Sequence, residues 1–445
     1  MHKIPVILIF DIGKTNKKAI LFDKAYQPLR EEETFIPEIR DGDGFPCEDQ
    51  AALTGWIKTV FIRLLEDSRF DIRALNFSAY GASLVYIGRR GEVLTPIYNY
   101  LKPFPEPLAT RFLEQYGPME RLCAETASPF LGSLNSGLQL YRLKHTRPDL
   151  FGKIKYALHL PQFASYTLTR MPATDISSVG CHSFLWNFLT NSYHKWVNQE
   201  GLLHLFPPII PHEETAALEL NDKKIICGFG LHDSSAALIP YLHSFPEPFL
   251  LLSTGTWSVS LNPFNSSILS AAELEQDCLC YLSYRGKPVK ASRLFAGYEF
   301  SKQVERLSTH FLLSPDYFKT VSYNPELTDR SGSKTTGVLQ GDLSRFPNFE
   351  LAYHHLVQEI VDLQVESTRR VIGNPGVKTI YVDGGFSKNE VFMRLLANAF
   401  PGIKVYAASL AQGSALGAAL ALHDRWNGEN IKENVIGLKY YPPSG

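Results

Sequence analysis

The first residues with chemistry in them are Asp11 and the triplet Gly13-Lys14-Thr15, which close the apolar run of VILIFDIGKTN at 6–16. Gly13-Lys14-Thr15 has the ending of a phosphate-binding P-loop. That loop needs a second glycine five positions earlier, to let the backbone wrap the phosphates. Leu8 stands there, inside the apolar run. The remaining pattern is a hairpin. VILIF reads as a buried strand, Gly13 permits a tight turn, and KKAILFD begins a second strand. The tip then presents Asp11, Lys14, Thr15 and Asn16. Backbone N–H groups and a short hydroxyl at such a tip hold phosphate, and a carboxylate like Asp11 suits a hydrated Mg2+. An ordinary polar hairpin has the same pattern, so the rest of the chain must decide.

A second copy of the device lies about 240 residues further on, in FLLLSTGTWSVSL, where Ser253-Thr254-Gly255-Thr256-Trp257 separates two apolar strands. A repeat at that spacing implies a duplicated domain, because solenoid periods are about 20–50 residues. The segment YLHSFPEP then marks the boundary, giving domains 1–244 and 245–445. In GFGLHDSSAAL, Asp233 sits between a Gly-rich turn and a helix start. It is either an N-cap, a favoured role for Asp, or a general base accepting the proton of an alcohol that attacks a phosphate. His232 beside it is either a substrate contact or a surface residue. In IYVDGGFSKN a strand runs into Gly384-Gly385, with Ser387 and Asn389 as candidate caps of the next helix. AQGSALGAALAL is a small-residue helix, with Gly413 at its start, able to pack very close to a neighbour or to accept a flat ligand.

These groups need elements to hold them. Strands are expected near 6–11 and 17–22, a helix near 49–66, and a strand at ALNFSAY. The stretch GASLVYIGRRGEVL reads as two strands joined by a turn at Arg90-Gly91. Helical patterns follow near 108–116 and 135–146, and PPIIPHEET (207–215) is irregular because its prolines lack donors. KIICGFG is a strand and HDSSAALIP a helix. ELAYHHLVQEIVDLQVESTRRVIG is a long amphipathic helix, and KVYAA is the last strand called.

The bulk numbers set limits. A chain of 445 residues divides naturally into two domains. Its 44% hydrophobic and 20% charged content is that of a globular protein, and a formal net charge of −1 argues against a nucleic-acid partner held by a basic surface. No apolar run reaches the length of a membrane span, and Asp11 and Lys14 interrupt the N-terminal run that would otherwise mimic a signal peptide. The six cysteines form no CxxC pair, which fits reduced thiols in the cytoplasm. His354-His355 with Glu359 lacks the spacing of a helical metal motif.

Taken in order, the motifs resemble the FGGY carbohydrate kinase family across almost the whole chain. DIGKTN (11–16) is similar to its first phosphate loop, SAYGAS (78–83) to its sugar-side turn, GLHDSSAA (230–237) to the catalytic segment, STGTW (253–257) to the second phosphate loop, and VDGGFSKN and QGSALGAA to the adenosine segments. The resemblance implies an α/β fold of two actin-like, ribonuclease-H-like domains closing on ATP and a sugar in the cleft between them. It implies Asp233 as base, Mg2+ at Asp11 and Asp233, and nucleotide contacts from Gly13, Lys14, Thr15, Asn16, Thr254, Gly255, Thr256, Gly384, Gly385, Asn389 and Gly413. STGTW and LNSGLQLYRL most resemble rhamnulokinases and related kinases of deoxy-ketoses. Ala82, Ser83, Asn135, Gln139, His232 and Asp233 would then face the sugar.

The resemblance implies L-rhamnulose or L-fuculose, with L-ribulose, xylulose or another sugar or polyol as alternatives. A 6-deoxy sugar would take phosphate at C1, because its C6 has no hydroxyl, and contact with its methyl discriminates by only about 1–3 kcal/mol. Two departures bear on the sugar. IYNYLKPFPEP carries no Asp or Arg where related kinases have them, and Lys14 replaces a small residue. Two readings from other classes are an actin-like ATPase, which needs neither the 78–140 region nor an acid placed like Asp233, and a silent sugar-binding regulator. The FPEPLATRFLEQYG segment suits a lid or a subunit contact, the latter in a homodimer.

Overall fold

The computed structural model describes residues 3–220, 223–328, 338–339, 341–373, 376–410, 412–431 and 435–444. Two seven-stranded sheets organise them. In the first, the order is Ala216–Leu220, Lys223–Cys227, Phe70–Ala79, Ile4–Ile12, Asn16–Phe22, Pro28–Phe35, with Leu231–His232 also on Phe70–Ala79. In the second it is Cys278–Leu282, Pro288–Leu294, Ser258–Asn262, Phe249–Thr254, Thr379–Gly384, Lys404–Ser409, Gly437–Tyr441.

The two sheets share one plan. Each has a central strand, Ile4–Ile12 or Phe249–Thr254, that turns back into an antiparallel partner on one side. On its other side it pairs in parallel with a strand far along the chain, Phe70–Ala79 or Thr379–Gly384. The duplicated hairpin in the sequence is thus a duplicated topology. A central strand covered on both faces must be apolar along its length, and Val6 through Phe10 are fully buried. The fold is α/β, with two ribonuclease-H-like halves.

Two helices lie between the sheets and bind them together. Asp233–Ser244 follows the first sheet, and its Leu238 and Tyr241 pack with Phe249, Leu251 and Tyr381 of the second. Gly413–Leu420 follows the second sheet, and its Ala415, Leu416 and Ala418 pack with Ile7 and Ile9 of the first. A Cβ on Gly417 would lie 1.8 Å from the Ala236 carbonyl oxygen, so the small-residue face serves backbone-to-backbone contact between these helices.

Local departures from expectation have local causes. Leu84–Gly88 does turn back at Arg90-Gly91, where the Gly91 N–H donates to the Gly88 carbonyl, but the return segment forms only an antiparallel bridge at Val93, and the strand's main partner is Ile154–His159. The helix expected near 108 begins at Glu106, because Pro105 with its fixed φ suits the entry to a helix. Ser387 does not cap the helix Glu390–Ala399, since its hydroxyl donates back to the Gly384 carbonyl, 2.8 Å away. Asn389 does cap it, accepting from the Phe392 N–H.

Candidate functional site

Parallel strands bring their carboxyl ends to one edge, where open α/β sheets bind ligands. Asp11 pairs with Ser78 and His232 with Ala79 in the first sheet, and Thr254 pairs with Gly384 in the second. Within each sheet the predicted motifs therefore gather at one edge, and the Ser414 hydroxyl reaching Asp11 links the two sets.

Asp11 and Asp233 stand there, and neither forms an ion pair with Lys or Arg among the described residues. Asp11 is half-buried and accepts a hydrogen bond from the Ser414 hydroxyl at 2.8 Å, across from the other half of the molecule. Burial pushes its pKa up to about 6, and the charge of Asp233 pushes the same way. Asp233 opens its helix, and its carboxylate accepts from the Ser234 N–H at 2.6 Å and hydroxyl at 3.2 Å. Burial raises it also to about 6. Such a pair of neighbouring carboxylates suits a divalent cation that keeps part of its water shell. Among the described residues no group of three or more His, Cys, Asp or Glu side chains forms a closed metal cage.

The two phosphate tips differ in what they leave free. At the first, the Gly13 N–H donates to the Asn16 carbonyl, 3.0 Å away, and a Cβ on Gly13 would press on the same oxygen at 2.9 Å. Thr15 and Asn16 are exposed. The Lys14 ammonium is engaged, 2.9 Å from Glu38 and 3.3 Å from Glu48, beside the rings of Tyr80 and Tyr100. At the second tip Gly255 and Thr256 are exposed. The Thr254 hydroxyl is used internally, donating to the Asp383 carbonyl and accepting from the Phe386 N–H at 3.0 Å. Thr254 thereby fastens this tip to the Gly384-Gly385 turn. Gly384 has φ +87°, and a Cβ there would sit 1.9 Å from the Thr254 carbonyl oxygen, so only glycine fits.

Beside that turn opens a cavity of about 700 Å³, lined by Gly255, Gly297, Phe300, Tyr353, Gly385 and Asn389 among others. Three of the expected nucleotide residues thus share one cavity. Asn389 is held there by its cap and by donating to the Tyr353 hydroxyl at 2.9 Å. Gly413 lies near Asp383, whose Oδ2 is 3.7 Å from where a Cβ on Gly413 would be. A polar rim beside an aromatic wall suits a nucleoside.

On the side where the sugar is expected, Gly81 carries the turn to Ala82 and Ser83 against the His232–Asp233 segment. A Cβ on Gly81 would lie 2.5 Å from Cys181 Sγ and 3.2 Å from His232 Nε2. Ala82 has φ +60°, unusual for a residue with a side chain. The Ser83 hydroxyl and Gln139 Oε1 are buried without a protein partner, as groups awaiting a polyhydroxylated ligand would be. Gln139 is fixed by donating to the Ala82 and Ser133 carbonyls at 2.7 and 2.6 Å. Asn135 is occupied otherwise: its amide donates to Ser128 and to the His182 carbonyl, and it accepts from the Leu131 N–H.

Sequence reasoning missed Ser414, the partner of Asp11, although it lies inside the quoted QGSALGAA. The glycines and alanines around it are what that segment displays in sequence. Sequence reasoning also missed Phe300 and Tyr353, whose helices, Ala296–His310 and Phe349–Ile372, look like ordinary amphipathic ones. Nothing local in the sequence marks them.

Both halves therefore carry tips, glycine turns and half-buried carboxylates of the kind an ATP-dependent sugar kinase would need. Comparison with known proteins agrees. Residues 246–332 match the carbohydrate kinase FGGY C-terminal domain, and residues 351–423 match the FGGY family of carbohydrate kinases, C-terminal domain. A rhamnulokinase of Halalkalibacterium halodurans is 24% identical over 428 residues, covering 88% of each chain. The crystal structure of a carbohydrate kinase from Novosphingobium aromaticivorans superposes with a TM-score of 0.80 at 22% identity, covering 99% of this chain and 95% of that one. Plasmodium falciparum glycerol kinase with ADP superposes at 0.76 with 16% identity, covering 95% and 89%. The C-terminal part of the chain thus carries FGGY carbohydrate kinase domain sequence, and the chain as a whole is similar to a rhamnulokinase and, in fold, to sugar kinases.

Proposed function

We propose that this kinase transfers the terminal phosphoryl group of ATP to a terminal hydroxyl of a ketose, with a 6-deoxy-ketohexose such as L-rhamnulose or L-fuculose favoured. The observation that supports the reading best is Asp233 itself: a carboxylate at the start of the helix Asp233–Ser244 that pairs with no Lys or Arg among the described residues and whose pKa burial raises to about 6. The similarity to rhamnulokinases supports the choice of sugar. L-Ribulose and xylulose are the nearest alternatives. The lobes 1–244 and 245–445 would be the closing units. A cytoplasmic setting is part of the reading, supported by six free, buried cysteines.

In this mechanism the sugar hydroxyl lies against Asp233, which accepts its proton as the oxygen attacks phosphorus. The tips Gly13–Asn16 and Gly255–Thr256, exposed at Thr15, Asn16, Gly255 and Thr256, orient the phosphates. Asp11 and Asp233 would hold Mg2+ through water, and the ion supplies charge neutralisation at the transferring group. The cavity beside Gly385 and Asn389 seats the nucleoside. Ser83 and Gln139 use their spare polar atoms on sugar hydroxyls.

The test is ADP release with Mg-ATP across a panel of ketoses, aldoses and polyols. One ketose should respond strongly, and Asp233→Asn should reduce its turnover by about 10²-fold or more, the usual cost of losing a general base. ATP binding should stay near normal. Full turnover in Asp233→Asn would remove Asp233 from the mechanism, and silence across the panel with slow ATP hydrolysis would favour the actin-like ATPase reading.

A further inference from the structure

His232 is held by more than its neighbour Asp233. Its Nδ1 lies 3.2 Å from the Ser235 hydroxyl, and that hydroxyl lies 2.8 Å from the Leu282 carbonyl oxygen. Leu282 is registered opposite Pro288, which has no N–H to offer it. A serine has one proton to give, and a carbonyl can only accept. The Ser235 proton therefore goes to Leu282, and the Ser235 oxygen faces Nδ1 with a lone pair. Nδ1 must then carry the ring proton, and in a neutral imidazole Nε2 is left bare. The backbone of His232 is fixed as well, its N–H donating to the Ser177 hydroxyl at 3.1 Å.

Nε2 is 3.2 Å from Asp233 Oδ1 and 3.0 Å from Cys181 Sγ. Two bare acceptors so close do not bond to each other. They form a pair that accepts from a ligand, and the Cys181 thiol is a weak donor that a hydroxyl displaces. The opposite tautomer would behave otherwise: a proton on Nε2 would point at Asp233 and occupy the lone pair the base needs.

We infer that Ser235 is a positioning residue that fixes His232 as a hydrogen-bond acceptor, so that His232 and Asp233 together receive two hydroxyl protons from the sugar. The inference rests on the kinase reading and sharpens it. Of the sugar it requires a hydroxyl donor, not an ether or a carbonyl, next to the reacting hydroxyl. Of the protein it requires that the Ser235 oxygen, not merely its volume, be present.

Two measurements test it. Nitrogen-15 spectra of the histidine-labelled protein, with His232 assigned by its loss in His232→Gln, should show His232 in the Nδ1–H form at neutral pH. An Nε2–H form in the wild-type protein overturns the inference, whatever the enzyme does. Kinetically, Ser235→Ala should lower kcat/KM for the sugar about tenfold, the scale of one lost hydrogen bond. KM for ATP should not move, and Ser235→Thr should recover most of the loss. Wild-type kcat/KM for the sugar in Ser235→Ala also overturns it. Asp233→Asn, assayed alongside, reports separately on the kinase reading, because its failure to slow transfer would leave the tautomer result untouched.

Discussion

Asp233 carries a cost that follows from its place. An acid whose pKa is raised on folding, from 3.8 to about 6, binds more protons in the folded state between those values. Stability therefore falls as pH rises through that window, and the penalty is fully present above pH 6. A shift of that size in a wholly buried group would amount to roughly 3 kcal/mol. About a third of this side chain meets solvent, which screens the charge, so about 1 kcal/mol is a fair expectation. Asp233→Asn removes the charge while keeping the shape. Relative to wild type it should gain stability at pH 7 and lose that advantage at pH 4, measured by urea unfolding at both. An advantage equal at the two pH values would mean that the raised pKa is not the cause. Asp11 is strained in the same direction, and Ser414 reaching from the other half is what tempers it.

Among the elements, the crossing of Asp233–Ser244 with Gly413–Leu420 is a contact with little tolerance for change. The Ala236 carbonyl occupies the place of a Cβ on Gly417 at 1.8 Å, and neither backbone can yield without moving a sheet. Gly417→Ala should destabilise by about 1–3 kcal/mol, the usual cost of overpacking, with a matching drop in the urea midpoint; a neutral result would mean the helices slide apart freely. Gly384→Ala acts elsewhere. It disturbs the turn that Thr254 fastens, so KM for ATP should rise while KM for the sugar holds. The sequence made some of these elements plain and hid others. Val6–Phe10 and Phe249–Leu252 are continuous apolar runs, and such runs are legible as central strands. Leu84–Gly88 was legible as a strand but not as the partner of Ile154–His159, because pairing over some seventy residues leaves no local trace. The site divides the same way. Asp11, Asp233 and the glycine turns announce themselves by type and spacing. The commitment of Lys14 to Glu38 and Glu48, and of the Thr254 hydroxyl to Asp383, depends on partners that only folding brings near.

At the scale of the whole molecule, the two tips belong to different sheets, and the acceptor side belongs chiefly to the first. On the proposed mechanism, transfer to a sugar, not to water, needs both tips on the phosphates at once and the lobes closed. Polar contacts already cross between the halves: Ser414 to Asp11, Lys18 to Gln412, and the Asn76 amide to the Ala418 carbonyl at 2.8 Å. They gather where the crossed helices meet the first sheet, so motion should pivot there. Sugar and nucleotide then bind to the same closed state, and each must strengthen the other by an equal factor. Titrations should show sugar tightening an unreactive ATP analogue by about 5-fold or more, and the analogue tightening sugar equally. Small-angle scattering should show the radius of gyration falling with both ligands present and falling less with either alone. Independent affinities together with an unchanged radius would mean that the cleft is preformed, and water would then have to be excluded by the ligands themselves.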